Sequence, residues 1–405
     1  MLINKCMNIF LRNLISKVKI FLKGNIFLKN LLSKIIYSFL NILSKFGISI
    51  YIVNIQAARI GHLLNNVDQS IYFLEKKKTS YILLINLIGK ISNSFVVSQW
   101  KKNKKIFFSN FFLSRLLEYV SYNKRLEKFI LGWKIIQPEF TKIFSSKRNF
   151  YIDRNKINLS KDEQEIFQKE FICLHNRDQK YTREIAKDIN YFDYKNFSFE
   201  SFNSTIVQIH KNNQIPIRIG NFVEETYDYK KLNYLDMSGD KSKDYMDILL
   251  QYYSKFTIIG LTGLSSVSNT FRKPQLNVNF TPININQLSW VSQNSIIMPK
   301  LFFSNKEGRN LKFNEIFKMN FDIHQQGNFL YKNNIEVIDN TENEILQAYI
   351  EMDNFLNNKY HDKENYELNK IFFNLFEDKE KSDFLFKNNN IRIPTFFLKK
   401  YYELL

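Results

Sequence analysis

Apolar, strand-like segments alternate with helical segments between residues 48 and 280, and this alternation limits the fold more than any other feature. Strands separated by helices of roughly ten to fifteen residues imply right-handed crossovers and parallel sheets. Two such blocks flank a polar, Lys-rich stretch at 141–165 that is typical of a linker. The sequence therefore predicts an α/β protein of two Rossmann-like lobes facing a cleft. The predicted strands are 48–55, 79–87, 104–110, 170–178, 214–221, 233–239, 255–260 and 275–280, and the predicted helices are 111–130, 201–213, 244–254 and 342–356.

The length of 405 residues is sufficient for two domains with extensions.

Thr341 is predicted to cap the helix at 342–356, with Glu344 where the capping-box partner belongs. The charged stretch 357–391 is expected to be partly mobile. The predicted parts are a basic N-terminal segment (1–45), a first α/β lobe (46–150), a second α/β lobe (166–335) and C-terminal helices with a tail (340–405).

The chain carries a formal charge of +19, with Lys, Asn, Ile, Phe and Tyr all abundant. An AT-rich coding sequence favours these residues in any protein, so part of the basicity reflects composition. Net positive charge also favours binding to nucleic acid or to an anionic membrane. Cys6 and Cys173 are far apart in sequence, which excludes a disulfide framework and fits a reducing compartment.

Residues 1–45 mix Lys with apolar residues at helical spacing. No uninterrupted apolar run reaches the roughly 18–20 residues that a spanning helix needs. The pattern favours a basic amphipathic helix lying on an anionic membrane face. The alternative is a first helix that packs on the domain behind it, and the sequence leaves both open.

The predicted strand at 171–174 runs directly into four polar residues: His175, Asn176, Arg177 and Asp178. In open α/β sheets, ligands bind outside the carboxyl ends of the strands. An Arg fork in that position suits a phosphate, and Asp178 would orient Arg177 or act as a base. The alternative is a solvated ion pair at a strand end.

A second polar turn follows the predicted strand at 255–260. Gly260 and Gly263 would let the backbone approach a ligand closely, and Ser265 and Ser266 stand at the start of a predicted helix. Hydroxyls and free N–H groups at such a start suit a phosphate or pyrophosphate. The pattern is neither a P-loop nor a G-x-G-x-x-G fingerprint, and an ordinary strand-to-helix turn with a Ser cap would look similar.

A third polar cluster comes after the first strand, where Arg59, Gly61 and His62 are predicted to lie on a loop with a tight turn at the glycine. The sequence predicts no metal site, because its five His residues (62, 175, 210, 324 and 361) are scattered and form no Cys/His pairs at zinc spacing. Nucleophile signatures such as G-x-S-x-G do not occur.

These motifs together resemble a group of bacterial glycosyltransferases encoded in surface-polysaccharide (O-antigen and capsule) clusters. The likeness covers most of the chain from about residue 48. The matching segments, in order, are RIGHLLNNVD, FICLHNRD with Tyr181, IPIRIGN, YLDMSG, DILLQYYSKFTIIGLTGLSSVSNTFRKP, SIIMPKLFFSNKEGRNLKFNEI, TENEILQAYIEM and IRIPTFFL.

The resemblance implies sugar transfer from a nucleotide-diphosphate donor to a glycan or lipid-linked acceptor, on a GT-B-like fold with the acceptor on the first lobe. The chain is also distantly similar to fucosyltransferase-type enzymes with an H-x-R-x-x-D motif, whose Arg contacts the donor diphosphate. Here Lys180 replaces the motif's Asp, so only Arg177 is carried over as a phosphate contact, with His175 beside it.

The residue roles expected from this reading fall into three sets. Donor binding is assigned to His175, Arg177, Gly263, Ser265 and Ser266, and the acceptor side to Arg59 and Gly61. The candidates for the base that deprotonates the acceptor hydroxyl are His62, Asp68 and Asp178. We expect no metal and no cofactor besides the nucleotide-sugar co-substrate, and a cytoplasmic protein held peripherally on the inner membrane face through residues 1–45.

A basic nucleic-acid-binding protein of ribosomal type is the alternative. It would account for the charge directly and predicts steep salt dependence of binding. It does not account for polar clusters at two strand ends, and it therefore ranks below the transferase.

Overall fold

The computed structural model describes residues 26–77, 80–121, 123–132, 140–148, 150–181, 183, 193–221, 223–224, 233–239, 243–319, 326–357 and 363–405. The N-terminal part of the basic segment (1–25) and two of the five histidines, His324 and His361, lie outside these residues. The chain divides into two compact units, Met1–Pro138 (unit 1) and Glu139–Leu405 (unit 2).

The division comes before the predicted linker at 141–165. Residues of that stretch belong to unit 2, where Phe144, Phe150 and Ile152 are buried. Each unit contains a parallel sheet with helices, so the prediction of an α/β protein in two parts is confirmed. The cleft stays a prediction.

Unit 1 is built on a three-stranded parallel sheet in the order β1-β2-β3. Its central strand reads YILLINLI without polar alternation, as expected for a strand paired on both edges and packed on both faces. All three predicted strands are present, and the predicted helix at 111–130 ends at Val120. The strands are β1 (Ser49–Gln56), β2 (Tyr81–Ile88) and β3 (Ile106–Phe108); the helices are α1 (Ile26–Lys45), α2 (Val67–Lys76), α3 (Ser94–Trp100) and α4 (Phe111–Val120), with a π-helix at His62–Asn66 and a 3₁₀-helix at Lys124–Phe129.

Helix α1 packs on unit 1 along one face. Leu40 is buried in a cluster with Ile52, Leu117 and Leu126, and Leu32 packs against the same cluster. The alternative in which the first helix packs on its own domain therefore holds for 26–45. Membrane binding stays a prediction.

Unit 2 is built on a six-stranded sheet in the order β6-β5-β4-β7-β8-β9, and every pair in it is parallel. The chain moves outward from β4 through β5 to β6, then returns to the other side of β4 and moves outward again. This is the doubly wound order, with its reversal between β4 and β7. The strands are β4 (Phe171–His175), β5 (Ile215–Arg218), β6 (Leu235–Asp236), β7 (Thr257–Ile259), β8 (Gln275–Phe280) and β9 (Ile296–Pro299).

A second sheet in unit 2 was not predicted from the sequence. It has three antiparallel strands in the order β11-β10-β12: β10 (Leu301–Ser304), β11 (Arg309–Asn310) and β12 (Ile335–Ile338). The unit's α-helices are α5 (Phe140–Ile143), α6 (Lys161–Ile166), α7 (Gln179–Tyr181), α8 (Asn203–Lys211), α9 (Met246–Tyr253), α10 (Ser265–Thr270), α11 (Ile285–Leu288), α12 (Phe313–Lys318), α13 (Gln326–Lys332), α14 (Glu342–Leu356), α15 (Lys363–Phe373), α16 (Lys379–Asp383) and α17 (Thr395–Lys400).

The expectation of a partly mobile stretch at 357–391 is wrong for its described residues. They form α15, α16 and a π-helix at Phe384–Asn388, and their aromatic residues enter the core of unit 2. Phe373 stacks on Phe386 with ring centroids 5.3 Å apart. The high charge of the stretch therefore belongs to the outer faces of packed helices.

The predicted capping box of α14 is confirmed. The amide of Thr341 donates to Glu344 Oε2 at 2.8 Å, and the amide of Glu344 donates to Thr341 Oγ1 at 3.3 Å. Two N–H groups that the first helical turn leaves unsatisfied thereby gain partners.

We expect Thr341→Ala to lower the free energy of unfolding by about 1 kcal/mol, because it removes the acceptor for the Glu344 amide. Thr341→Ser keeps the hydroxyl and should retain most of that stability. Urea unfolding followed by circular dichroism measures both. Equal stability of Thr341→Ala and the wild type would contradict the role of the cap.

Candidate anion-binding site at the carboxyl edge of the unit 2 sheet

The two polar segments predicted from the sequence lie at neighbouring strand ends. His175 of β4 is paired with Ile259 of β7, so the residues that follow each strand leave the same edge of the sheet side by side. Adjacent strands are about 5 Å apart. The chain order reverses between these two strands, and the crevice at such a reversal is the usual ligand position in doubly wound sheets.

Residues 193–197 lie across these two strand ends. Asn176 Nδ2 donates to the carbonyl of Phe197 at 3.1 Å, and the amide of Phe197 donates to the carbonyl of Arg177 at 3.2 Å. The Phe197 ring lies over Gly260, where a Cβ would come within 3.0 Å of it. Gly260 is therefore needed for the close approach of this segment rather than for a turn at a ligand.

Lys300 follows directly after β9, the outermost strand of the sheet, and holds the same segment. Its side chain is buried, and Nζ donates to the carbonyl of Asn196 at 2.8 Å and pairs with Asp339 at 2.5 Å. Burial lowers the pKa of Lys300, and Asp339 opposes that shift. The segment that carries Lys195 is thus fixed at both of its following residues, Asn196 and Phe197.

Two cationic residues belong to this edge: Arg177 follows β4, and Lys195 lies in the segment 193–197 that bonds with residues 176 and 177. Burial, together with the nearby positive charge of Arg177, lowers the pKa of Lys195 to about 7. Burial raises the pKa of Asp193, with Arg177 acting in the opposite direction. The positive charge of Arg177 therefore disfavours the charged form of Lys195, and a bound anion would favour it.

Hydroxyl groups line the same region. Tyr194 Oη and Thr262 Oγ1 are buried and have no hydrogen-bond partner among the residues that the structure describes. Ser265 donates its hydroxyl proton to the carbonyl of Thr262 at 2.6 Å, so it is engaged within its own turn. Ser266 is buried, whereas Gly263 is exposed.

His175 supports the loop after β5 from within the protein. Its Nδ1–H donates to the carbonyl of Ile219 at 3.0 Å, and burial lowers the pKa of His175 to about 4, so the ring is neutral near pH 7. Gly220 has a φ of +123°, and a Cβ there would come within 2.8 Å of His175 Nδ1. The amide of Gly220 in turn donates to Asp247 at 3.1 Å.

Asp178 is held by backbone donors on both of its carboxylate oxygens. Oδ1 accepts from the amide of Lys180 at 3.0 Å, and Oδ2 accepts from the amide of Glu224 at 2.6 Å. Lys180 Nζ also donates to the carbonyl of Val223 at 2.9 Å. These contacts tie the turn after β4 to residues 223–224, which is a positioning role. A role for Asp178 as a base stays a prediction.

The candidates in unit 1 match the predicted loop only in part. Arg59 lies in the loop after β1, but Gly61 is right-handed helical, with φ −60° and ψ −41°, and His62 begins a π-helix, so the expected tight turn at the glycine is wrong. Burial, with Arg59 nearby, lowers the pKa of His62. Asp68 lies in the first turn of α2 with no exposed surface. Of the two, only His62 is open to solvent.

Four residues of the candidate site were not predicted from the sequence: Lys195, Tyr194, Thr262 and Lys300. Lys300 follows β9 directly and could have been found by the rule that identified Arg177, had β9 been recognised. Lys195 and Tyr194 carry no such signal, because a contact between distant segments places them at the sheet edge. Among the described residues, no three His, Cys, Asp or Glu side chains cluster as a metal site. The expected independence of metal stays a prediction.

No protein-family model matches the chain, and neither does any curated protein. Two solved structures show a distant similarity. One is the dodecameric, iron-containing glycosyltransferase TibC from enterotoxigenic E. coli H10407, at 12% identity and a TM-score of 0.35 over 64% of this chain and 62% of that one, which is less than two thirds of its length. The other is the dodecameric, iron-containing heptosyltransferase TibC in complex with ADP-D-β-D-heptose, at 11% identity and a TM-score of 0.40 over 76% and 77% of the two chains. These values do not assign the chain to a family.

Asp247, whose carboxyl accepts from the Gly220 amide, should make the stability of the protein depend on pH. Burial raises the pKa of Asp247 to about 6, from an ordinary value of 3.8. The folded state then binds more protons than the unfolded state in this range, so the contribution of Asp247 to stability falls as pH rises. Asp247→Asn keeps an acceptor for the Gly220 amide and cannot ionise. Its free energy of unfolding relative to wild type should rise by about 2–3 kcal/mol between pH 4 and pH 7.

Urea titrations of both proteins at the two pH values measure this change. His175, whose lowered pKa has the opposite effect on stability over the same range, is present in both proteins and cancels in the comparison. A difference that stays constant with pH would show that Asp247 ionises normally.

Proposed function

We propose that the protein is a glycosyltransferase that binds the diphosphate of a nucleotide-sugar donor at the carboxyl edge of the unit 2 sheet. The observation that carries the proposal is the placement of Arg177 and Lys195 at the strand-order reversal between β4 and β7. A crevice of this kind commonly holds a nucleotide. A guanidinium fork and an ammonium group together match the geometry and charge of a diphosphate.

In the proposed reaction, the bond between the anomeric carbon and the diphosphate oxygen breaks as a bond to the acceptor oxygen forms. Arg177 and Lys195 stabilise the negative charge that develops on the leaving diphosphate. Thr262 and Tyr194 supply hydroxyl donors beside them. The acceptor hydroxyl loses its proton to a base, for which His62, Asp68 and Asp178 stay the candidates.

The proposal also extends to the acceptor, the biosynthetic pathway and the cellular location. The sequence resemblance supports a glycan or lipid-linked acceptor in surface-polysaccharide synthesis, on the cytoplasmic side of the membrane. The expectations of a GT-B-like lobe arrangement and of transfer without metal or further cofactor belong to the same proposal. Binding to nucleic acid gains no support from the carboxyl edge, where Asp193 and Asp339 lie among the cations.

Arg177→Ala is expected to weaken nucleotide-sugar binding by about tenfold to a hundredfold, because charge-assisted hydrogen bonds to the diphosphate are lost. A thermal-shift panel of nucleotide sugars identifies the donor, and calorimetry measures its affinity. Arg309→Ala is the matched control, because this arginine of β11 is exposed and its ion pairs with Glu307 and Glu315 are on the surface. The proposal fails if no nucleotide sugar binds, or if both variants bind like the wild type.

The lowered pKa of Lys195 predicts a pH dependence of donor binding. Lys195 is charged below a pKa of about 7 and neutral above it. Affinity for a nucleotide sugar should therefore fall by up to about tenfold between pH 6 and pH 8. A nucleotide sugar is the right ligand because its diphosphate, esterified at both ends, keeps a constant charge over this range.

Two variants separate Lys195 from other titrating groups. Lys195→Arg stays charged and should bind with little change between pH 6 and pH 8. Lys195→Ala should bind weakly and equally at both. A wild-type affinity independent of pH, or an unchanged slope in Lys195→Ala, would remove Lys195 from the donor site.

A further inference from the structure

Helix α1 has a second apolar face that does not pack on unit 1. Its members recur every three or four residues, which places them on one side of the helix. Their exposed fractions range from 44% to 79%. We call this face the α1 stripe; it consists of Phe27, Leu31, Ile35, Phe39 and Ile42, and Phe46 continues it just beyond the helix.

The opposite side of α1 is fixed lengthwise to unit 1. Besides the apolar contacts of Leu40, Asn123 Nδ2 donates to Asn30 Oδ1 at 3.0 Å and Lys128 Nζ donates to Asn41 Oδ1 at 2.9 Å. These contacts lie near both ends of the helix. The α1 stripe is therefore held along the surface of unit 1, with its full length facing outward.

A basic groove of about 760 Å³ borders the helix between α1 and the 3₁₀-helix at Lys124–Phe129. Four of its lining residues are cationic and one is acidic; they are Lys34, Lys124, Arg125, Lys128 and Glu127, and Tyr37 and Ser38 complete the lining. Lys34 also belongs to α1 itself. Cationic charge thus runs alongside the α1 stripe.

The chain segment that carries this face has no acidic residue of its own. Residues 1–67 contain nine Lys and Arg residues, and the first carboxylate in the chain is Asp68. An apolar stripe flanked by cations, with no acid on the same segment, is typical of a helix that lies in a lipid interface.

We propose that unit 1 docks on an anionic membrane surface through α1, with the α1 stripe among the acyl chains and the basic groove on the lipid phosphates. Other occupants fit less well. A two-fold dimer through this face would bring two basic grooves together at a repulsive interface. Residues 1–25 carry five cations and no acid, so covering the face with them would add like charge.

The length and composition of α1 would also suit a membrane-spanning helix. Spanning would require α1 to leave the contacts with unit 1 at Asn30, Leu40 and Asn41. Burial of the α1 stripe in an interface keeps those contacts and still removes its apolar surface from water. The structure therefore favours a helix lying in the plane of the membrane.

Sedimentation of the full-length protein with vesicles tests the proposal. We expect binding to phosphatidylcholine vesicles that contain about one third phosphatidylglycerol, weaker binding at high salt, and little binding to phosphatidylcholine alone. Ile35→Asp should reduce binding at least tenfold, because it places a charge within the inserted face. Ile371→Asp is the matched control, since Ile371 is a partly exposed isoleucine on a helix of unit 2.

A second pair of variants tests the charge. Lys124→Ala combined with Arg125→Ala should reduce binding to anionic vesicles about tenfold or more. The same change at Lys306 and Lys332, both exposed in unit 2, should leave binding nearly unchanged. Circular dichroism and thermal unfolding establish that each variant is folded.

Three results would overturn the proposal. The first is a wild-type protein that does not bind anionic vesicles at low salt. The second is that Ile35→Asp and the Lys124→Ala, Arg125→Ala double variant both bind anionic vesicles as strongly as the wild type. The third is a dimer that Ile35→Asp converts to monomer without any vesicle binding, which would make the face an interface between copies of the chain. None of these results bears on nucleotide-sugar binding by unit 2.

Discussion

The pairing of β4 with β5 on one side and with β7 on the other is the constraint on which the candidate site depends. A strand paired on both edges in a parallel sheet must be apolar on both faces, and β4 is buried along its whole length. Its polar continuation can then emerge only at the carboxyl edge. Because the chain leaves β4 toward β5 and later returns at β7, the connections diverge at the ends of these strands, where Asn176 and Arg177 lie.

A contact between an aromatic ring and a glycine covers part of this edge. Phe197 lies on Gly260, and the backbone around it bonds with Asn176 and Arg177. Lys300 then anchors the neighbouring carbonyl at a cost in desolvation, which Asp339 offsets. Burial, together with the charge of Arg177, lowers the pKa of Lys195. Ionisable groups with shifted pKa values are common at functional sites.

The elements that sequence reasoning located are those whose signal is local. A buried parallel strand such as β4 or β8 is a short apolar run, and the capping box of α14 is complete within four residues. Strand β10 was missed because it follows β9 after a single residue and merges with it into one apolar run, and β11 is only two residues long. The high charge of 357–391 concealed Phe373 and Phe386, whose spacing matters only once the helices pack.

The candidate site could be predicted from the sequence only where its signal is local. Arg177 was proposed because it follows a strand directly, whereas Lys195 lies at this edge through the contacts of Phe197 and Lys300. Adjacency to Arg177 also made Asp178 a candidate, and the structure adds that its carboxylate accepts hydrogen bonds from the amides of Lys180 and Glu224. Sequence proximity at a strand end therefore identifies the edge, and only the three-dimensional contacts separate ligand-facing groups from those that hold the loops.

Helix α1 is a further element whose role the sequence alone does not decide. Its composition indicates an apolar, basic helix, and two different structures satisfy that description: a helix packed on its own domain and a helix lying on a membrane. Three- and four-residue spacing starting at Leu32 gives the face that packs on unit 1, while the same spacing starting at Phe27 gives the α1 stripe. The two readings treated as alternatives are therefore compatible, since each uses a different side of one helix.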